Sequence, residues 1–338
     1  MTGRERLPVV FAPAADARLS SWIARMAPFY AMTVPEFLAE LGFLGCDVFD
    51  LEWRLSEGEG ALIGARTGVS AEAVQAMTFG ELIPEARVMI RRNRHHCPQC
   101  PAAVQSKSAA LPWVFRCTVH GANLEDVTGG SLSDLLGAGQ LAAMEAHAKA
   151  GAAILDAWAH DACQQGFGPV EMLALLTVRH RRASPPSARE QPRMSQQTRR
   201  DYHEFLTTPI IRQALTVVVP EYDAVAPVLA KPVRPGLHSL AQGSLLQAFA
   251  LAVGIGRIAE TPVDQTISVL LKSDADGQGQ VRDALRSWPL SLRRRISARL
   301  WRAQRDERER QVAQKPTRRR QSHEYRRVQS HECRSRIS

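Results

Sequence analysis

The sequence predicts a mainly α-helical protein, with a helix-turn-helix and a zinc-ribbon-like module in an N-terminal domain and a helical C-terminal domain. Three observations carry this reading. Apolar residues recur at helical spacing along most of the chain. Gly68 separates two short periodic stretches. Four metal-type ligands stand in two pairs, Cys97-x-x-Cys100 and Cys117-x-x-His120.

From Ser20 to Gly42, the residues Trp22, Ile23, Met26, Phe29 and Tyr30, then Phe37, Leu38 and Leu41, predict a pair of helices. Pro35 falls in the first turn of the second helix, where a missing N–H costs nothing. The stretch 61–79 predicts a helix, a turn at Gly68 and a second helix capped by Ser70, the layout of a helix-turn-helix. Gly68 can take the positive φ of the turn, and Ile63, Val69, Val74 and Met77 are expected to pack the two helices together. The second helix would expose Ala71, Glu72, Gln75 and Ala76. With one base-reading side chain and no arginine, that face suits docking to protein better than reading a major groove. Glu72 and Gln75 are its candidate docking residues.

The two ligand pairs are 16 residues apart. Ligands two residues apart can face one ion from a tight turn, and two such turns complete a tetrahedron. Since protein fills all four positions, the site predicts one structural zinc rather than a catalytic one. Disulfides are the alternative use of these cysteines. His95 and His96 are candidate substitute ligands, but adjacent residues rarely reach one ion in good geometry, which favours His120. Arg91, Arg92 and Arg94, together with Arg116, place positive charge nearby and should favour thiolates. The first three are also candidate contacts to nucleic acid or a partner.

Beyond the module, 132–163 is alanine-rich with helical apolar spacing, and Val170 to Val178 continues as a short helix. Between Arg179 and Arg200 the pattern stops, and Pro185, Pro186 and Pro192 among arginines predict a basic linker. A second helical region follows, with 240–258 as its most apolar helix and Pro220, Pro227, Pro232 and Pro235 marking a loop. The expected organisation is 1–130 with the helix-turn-helix at 61–79 and the zinc site at 95–121, a helical extension at 131–180, a linker at 181–200, a helical domain at 201–302 and a disordered basic tail at 303–338.

A chain of 338 residues with 45% apolar content can bury real cores. Six cysteines make no disulfide scaffold; Cys46, Cys163 and Cys333 form no evident pattern, and such usage suits a reducing cytoplasm. The apolar run 7–12 is too short for a signal peptide and is broken by Pro8 and Pro13; nothing else approaches a membrane span. The expectation is a soluble cytoplasmic protein. Its net charge of +9 is uneven: from Arg293 onward there are 16 Lys or Arg against 5 Asp or Glu, leaving the rest near neutral. Such a segment attracts nucleic acid by counterion release, or is a solvated tail with no specific partner. Its duplicated Gln-Ser-His-Glu, at Gln321 and Gln329, reads as repeat expansion rather than metal binding. There is neither a GxxxxGK[ST] phosphate loop nor a nucleophile, base and orienter grouping, so the chain reads neither as an ATPase nor as any other enzyme.

In order, the chain carries Leu7-Pro8-Val9, Leu19-Ser20-Ser21-Trp22-Ile23-Ala24-Arg25, Phe37-Leu38, Thr67-Gly68-Val69-Ser70, Cys97-Pro98-x-Cys100, Trp113 and Cys117-x-x-His120-Gly121. In this combination, residues 1–130 resemble the TniQ (TnsD-like) family of transposition proteins. The resemblance implies a non-catalytic, target-selection adaptor. It would join target DNA, or an RNA-guided CRISPR-type complex, to the AAA+ regulator that recruits the transposase. It also implies a zinc on Cys97, Cys100, Cys117 and His120, a helix-turn-helix on Ala61 to Phe79, and a homodimer as a reasonable expectation. The setting would be a prokaryotic cytoplasm, with association to the nucleoid when DNA is bound. Many relatives continue with another cysteine pair, whereas here Leu124-Glu125-Asp126-Val127 leads into Gly129-Gly130 without one, so a single zinc is expected. The alternative reading is a stand-alone zinc-containing helix-turn-helix regulator that binds DNA on its own.

Overall fold

Side-chain caps from Thr33, Asp47, Ser56 and Ser70 set where four of the N-terminal helices begin. A computed structural model describes residues 6–91, 95–101, 105–126, 130–161, 167–182, 210–223, 240, 244–306 and 309–310. Helix α1 (Leu19–Phe29) is followed by α2 (Val34–Leu41), where Thr33 and Glu36 form a capping box and Gly42 ends the helix at φ 105°. The predicted helix pair is therefore present. A third short helix, α3 (Val48–Arg54), starts from an Asp47 cap; only two turns long, it left no clear periodicity in the sequence. Trp22, Ile23, Met26, Phe37, Leu38, Leu41, Ile63, Val74 and Met77 form one buried cluster beneath these elements, with Val69 packed against it.

The helix-turn-helix consists of α4 (Glu57–Thr67) and α5 (Ala71–Ala76). Helix α4 begins four residues before the expected Ala61, because Ser56 and Glu59 make a capping box ahead of a glycine-rich first turn. Gly60, Gly64 and Gly68 share one line down this helix. A Cβ at Gly64 would lie 2.8 Å from the Val69 carbonyl oxygen, and one at Gly60 would lie 3.0 Å from Gln75 Nε2. The missing side chains let α5 approach closely, and Gly68 turns the chain at φ 74°.

A buried ion pair holds this core together. Arg18 Nη2 lies 2.5 Å from Glu52 Oε2, with side chains 2% and 0% exposed. Glu52 also accepts the Ser20 backbone N–H, while Arg18 donates to the Arg91 carbonyl oxygen and lies over the rings of Phe49 and Phe79. Each charge is thus satisfied by several partners, as burial requires.

Helix α6 (Pro84–Arg87) leads to a two-stranded antiparallel ladder, β1 (His95–His96) with β2 (Glu125–Asp126), which frames the cysteine module. Then come α7 (Leu132–Leu136), α8 (Ala138–Ala159) and α9 (Pro169–Leu176). Strand β3 (Arg179–Arg182) pairs antiparallel with β4 (Ile210–Gln213), so residues 210–213, expected to be helical, form a strand instead. Of the basic linker expected at 181–200, residues 181 and 182 belong to β3 and the rest lie outside the described residues, as do 201–209. After α10 (Leu215–Val218) and α11 (Pro220–Asp223) come α12 (Leu245–Glu260), α13 (Pro262–Lys272) and α14 (Ala275–Ala284).

Thirteen of the sixteen residues of α12 are buried, which makes it a central core helix rather than an amphipathic surface one. It crosses α8 at near backbone contact. A Cβ at Gly151 would fall 1.8 Å from the Ala252 carbonyl oxygen, and one at Gly256 would fall 2.2 Å from that of His147. Phe249 of α12 meets Phe115 edge-on at 5.1 Å, and Trp158 of α8 meets Trp113 at 6.4 Å. The late helix α12 therefore packs on the cysteine module, and the elements from the N-terminus to Ser287 form one compact unit.

A second unit begins at Trp288 and, among its described residues, carries a helix over 290–306. The basic tail was expected to be disordered from 303, but residues 303–306 continue this helix; 311–338 lie outside the described residues. No helix among the described residues is long and apolar enough to cross a membrane.

Two substitutions on α8 should separate close approach from helix propensity. Gly151→Val forces side-chain atoms onto the α12 backbone and should destabilise by about 3 kcal/mol or more in urea unfolding. Gly139→Ala, where a Cβ meets nothing within 4 Å, should be neutral or stabilising by under ~1 kcal/mol.

Candidate metal centre

Each ligand pair sits in a turn whose backbone points an N–H at its leading sulfur. In the first, Cys100 N donates to the Cys97 carbonyl oxygen at 3.2 Å and Gln99 N to Cys97 Sγ at 3.4 Å. The second closes a hairpin in which Leu124 N donates to Phe115 O at 2.9 Å and Cys117 N to Ala122 O at 2.8 Å. Gly121 takes φ 65° there, and His120 N reaches Cys117 Sγ at 3.4 Å. Gly121 is needed because the hairpin must reverse immediately after the histidine.

The four donor atoms converge. His120 Nδ1 lies 3.6 Å from Cys97 Sγ, 3.3 Å from Cys100 Sγ and 3.6 Å from Cys117 Sγ. Cys100 and Cys117 Sγ are 3.8 Å apart, and all four atoms fall within 4.8 Å of one another. For an ion bonded to sulfur at about 2.3 Å and to nitrogen at about 2.05 Å, a regular tetrahedron has S–S edges near 3.8 Å and S–N edges near 3.6 Å. The donor set fits that figure and could hold a metal ion. A disulfide would need a separation of about 2.05 Å, and these cysteines are free thiols.

Cys97 and Cys117 are buried, Cys100 is half-buried and His120 is exposed, so the site opens on its histidine side. Burial works against the Cys117 thiolate, but the N–H groups of His120 and Val119 outweigh it and draw the thiol down to about 7. Cys100 is pushed up to about 12 by desolvation and then by its neighbours Cys117 and Cys97. Three sulfurs this close repel one another's charge, which is the repulsion a divalent ion removes.

The arginines take other roles than the sequence suggested. Arg91 is not a docking residue on the surface: it is buried, bonds His95 Nε2 at 2.8 Å and donates to the Leu111 carbonyl oxygen at 2.9 Å. Burial lowers its pKa to about 10. Because a guanidinium only donates, His95 Nε2 must accept, so His95 is spent as a structural acceptor and is no substitute ligand. His96 faces Glu125 at 4.0 Å. Arg116 pairs with Glu145 of α8. Arg92 and Arg94 lie outside the described residues.

The exposed face of α5 is acidic. Gln75 directs its amide at the Leu55 and Ser56 carbonyl oxygens, at 3.4 and 3.2 Å, so its donors brace the start of α4 instead of projecting outward. Glu72 is exposed, and its own backbone N–H together with the Ser70 hydroxyl holds its carboxyl below the usual range. A surface groove runs past Glu57, Glu72, Gln75, Glu81 and Lys107, and Lys107 is 2.5 Å from Glu81.

One residue essential to this geometry carried no sequence signal. Asp16, at φ 59°, accepts from the Ser106 hydroxyl, from Ser108 N and Oγ at 3.1 and 2.5 Å, and from Thr118 Oγ1 at 3.2 Å. It ties the start of α1 to the loop joining the two knuckles across about ninety residues of chain. Only contact could reveal it, since no local pattern links an aspartate to hydroxyls so distant.

Fold and site together define a mainly helical protein whose helix-turn-helix is built onto a Cys3His cluster that could form a zinc site. The TniQ family model matches residues 8–124, a span that holds α1 to α6 and both knuckles. Residues 8–124 therefore match a TniQ domain, which supports a transposition-associated target-selection protein in general. No curated protein and no solved structure matches the chain.

Two variants should separate binding from support. Cys117→Ser should abolish stoichiometric metal in elemental analysis of the purified protein. Asp16→Asn should retain metal yet lose about 1–2 kcal/mol of stability, read by chemical unfolding, because it weakens several part-buried acceptor contacts without touching a ligand.

Proposed function

We propose that this chain is a non-catalytic adaptor, joining a transposition target to the AAA+ regulator of the same mobile element, and that its metal is one structural zinc. The observation that carries the reading is the TniQ match over 8–124, whose span includes the helix-turn-helix and all four metal-type ligands. With four protein donors around one ion, no coordination position is left for water or substrate, which suits a structural centre. The Arg18–Glu52 pair and the Asp16 contacts bind both modules into one rigid body, as an adaptor that presents a fixed surface requires. The acidic face of α5 favours a protein partner over phosphate at that position. The target, as a DNA site or an RNA-guided complex, would be engaged elsewhere on the chain.

Tagged full-length protein should retain the element's own AAA+ protein in a pull-down with ATP, and Cys117→Ser should lose most of that retention. Failure of intact, zinc-loaded protein to retain the regulator, under conditions where another TniQ protein retains its own, would overturn the adaptor assignment.

A further inference from the structure

We propose that the helix over 290–306 is a surface through which this chain contacts duplex DNA. It is the most cationic described element, with six arginines against one carboxylate, Asp306. Its charges are also segregated. At 100° per residue, Arg294, Arg295, Arg299, Arg302 and Arg305 fall within an arc of roughly 140°. All five are exposed. Leu292, Ala303, Ile296 and Leu300 follow within roughly 100° beyond Arg299, where Ile296 is only 2% exposed; the sixth arginine, the half-buried Arg293, lies on this side, and Asp306 falls within the arginine arc. Any helix packed on one side keeps its charges on the other, so what points to a polyanion is the single sign and the density of the exposed arginines.

The arginine face matches a polyphosphate in type and in length. Guanidinium groups pair phosphate oxygens in a planar fork, and arginine outranks lysine for that contact. From Arg294 to Arg305 the helix rises about 16 Å, a length over which duplex DNA carries about nine or ten phosphate charges. Trp301, 63% exposed, stands at the edge of this face with the Arg305 guanidinium 5.5 Å from its ring. Arg305 also lies 3.4 Å from Glu309, both exposed, and an ion pair of that kind, worth about 0–1 kcal/mol, yields readily to a phosphate. The helix-turn-helix presents the opposite charge, through Glu57, Glu72 and Glu81. Charge complementarity therefore assigns DNA contact to the late helix. The inference rests on the target-selection reading only for its choice of DNA as the polyanion.

The test is fluorescence anisotropy of full-length protein on duplex DNA across a salt series. It compares wild type with R294Q/R295Q/R299Q/R302Q/R305Q, and repeats both in a background of R318Q/R319Q/R320Q. Glutamine keeps helix propensity, and circular dichroism checks that helix content is unchanged. The quintuple variant should bind at least about 100-fold more weakly near 0.1 M salt and lower the slope of log K against log salt by about four, in both backgrounds. Unchanged affinity and slope in the quintuple variant would overturn the proposal. So would capture of wild type by phosphatidylglycerol vesicles with no binding to duplex DNA. Loss of AAA+ retention with arginine-dependent DNA binding intact would sink the adaptor reading and leave this one standing.

Discussion

Arg18 is buried with its charge intact, and this constraint organises the N-terminal half. A guanidinium taken out of water needs a carboxylate and further acceptors, or its desolvation costs several kcal/mol. Here Glu52 supplies the carboxylate, the Arg91 carbonyl a further acceptor, and Phe49 and Phe79 supply aromatic faces. These partners come from α3, from the turn that follows α5, and from the segment entering the first knuckle. Satisfying one charge thus fixes three parts of the chain relative to α1. Two residues earlier, Asp16 does the same for the loop between the knuckles. The metal ligands depend on this scaffold, since their turns are short and bury little apolar area of their own.

The later part of the chain is joined to that scaffold by packing of a different kind. Gly151 and Gly256 bring α8 and α12 to near backbone contact, and dispersion between two close helices is gained at small residues without strain. Phe249 then reaches Phe115, beside the second knuckle. A helix almost 130 residues downstream so becomes part of the floor beneath the candidate metal centre. A chain built this way holds its N-terminal modules from both sides.

Charge is divided between the two units. In the first, the groove along α5 carries three carboxylates, and its lysine is paired with one of them. In the second, the helix over 290–306 carries five of its six arginines on one side. The net charge of +9 therefore describes neither surface. Physical partners respond to local potential, so the two surfaces call for partners of opposite charge.

Local patterns were legible wherever a residue's role is settled within a turn or two of its neighbours. The ligand spacing of Cys97, Cys100, Cys117 and His120, the positive φ at Gly68, the Ser70 cap and the apolar periodicity of α1, α2 and α12 are all of this kind, because turn geometry and helix period are short-range properties. Spacing alone could not show that Arg91 would be buried, that Gln75 would turn its donors onto Leu55 and Ser56, or that residues 210–213 would pair with 179–182 as strands. Nor could it find Asp16, or the contact of Gly151 with the α12 backbone. Those outcomes belong to the tertiary structure, because a polar group's role depends on which distant partner packing brings to it, and a glycine's on which backbone comes near.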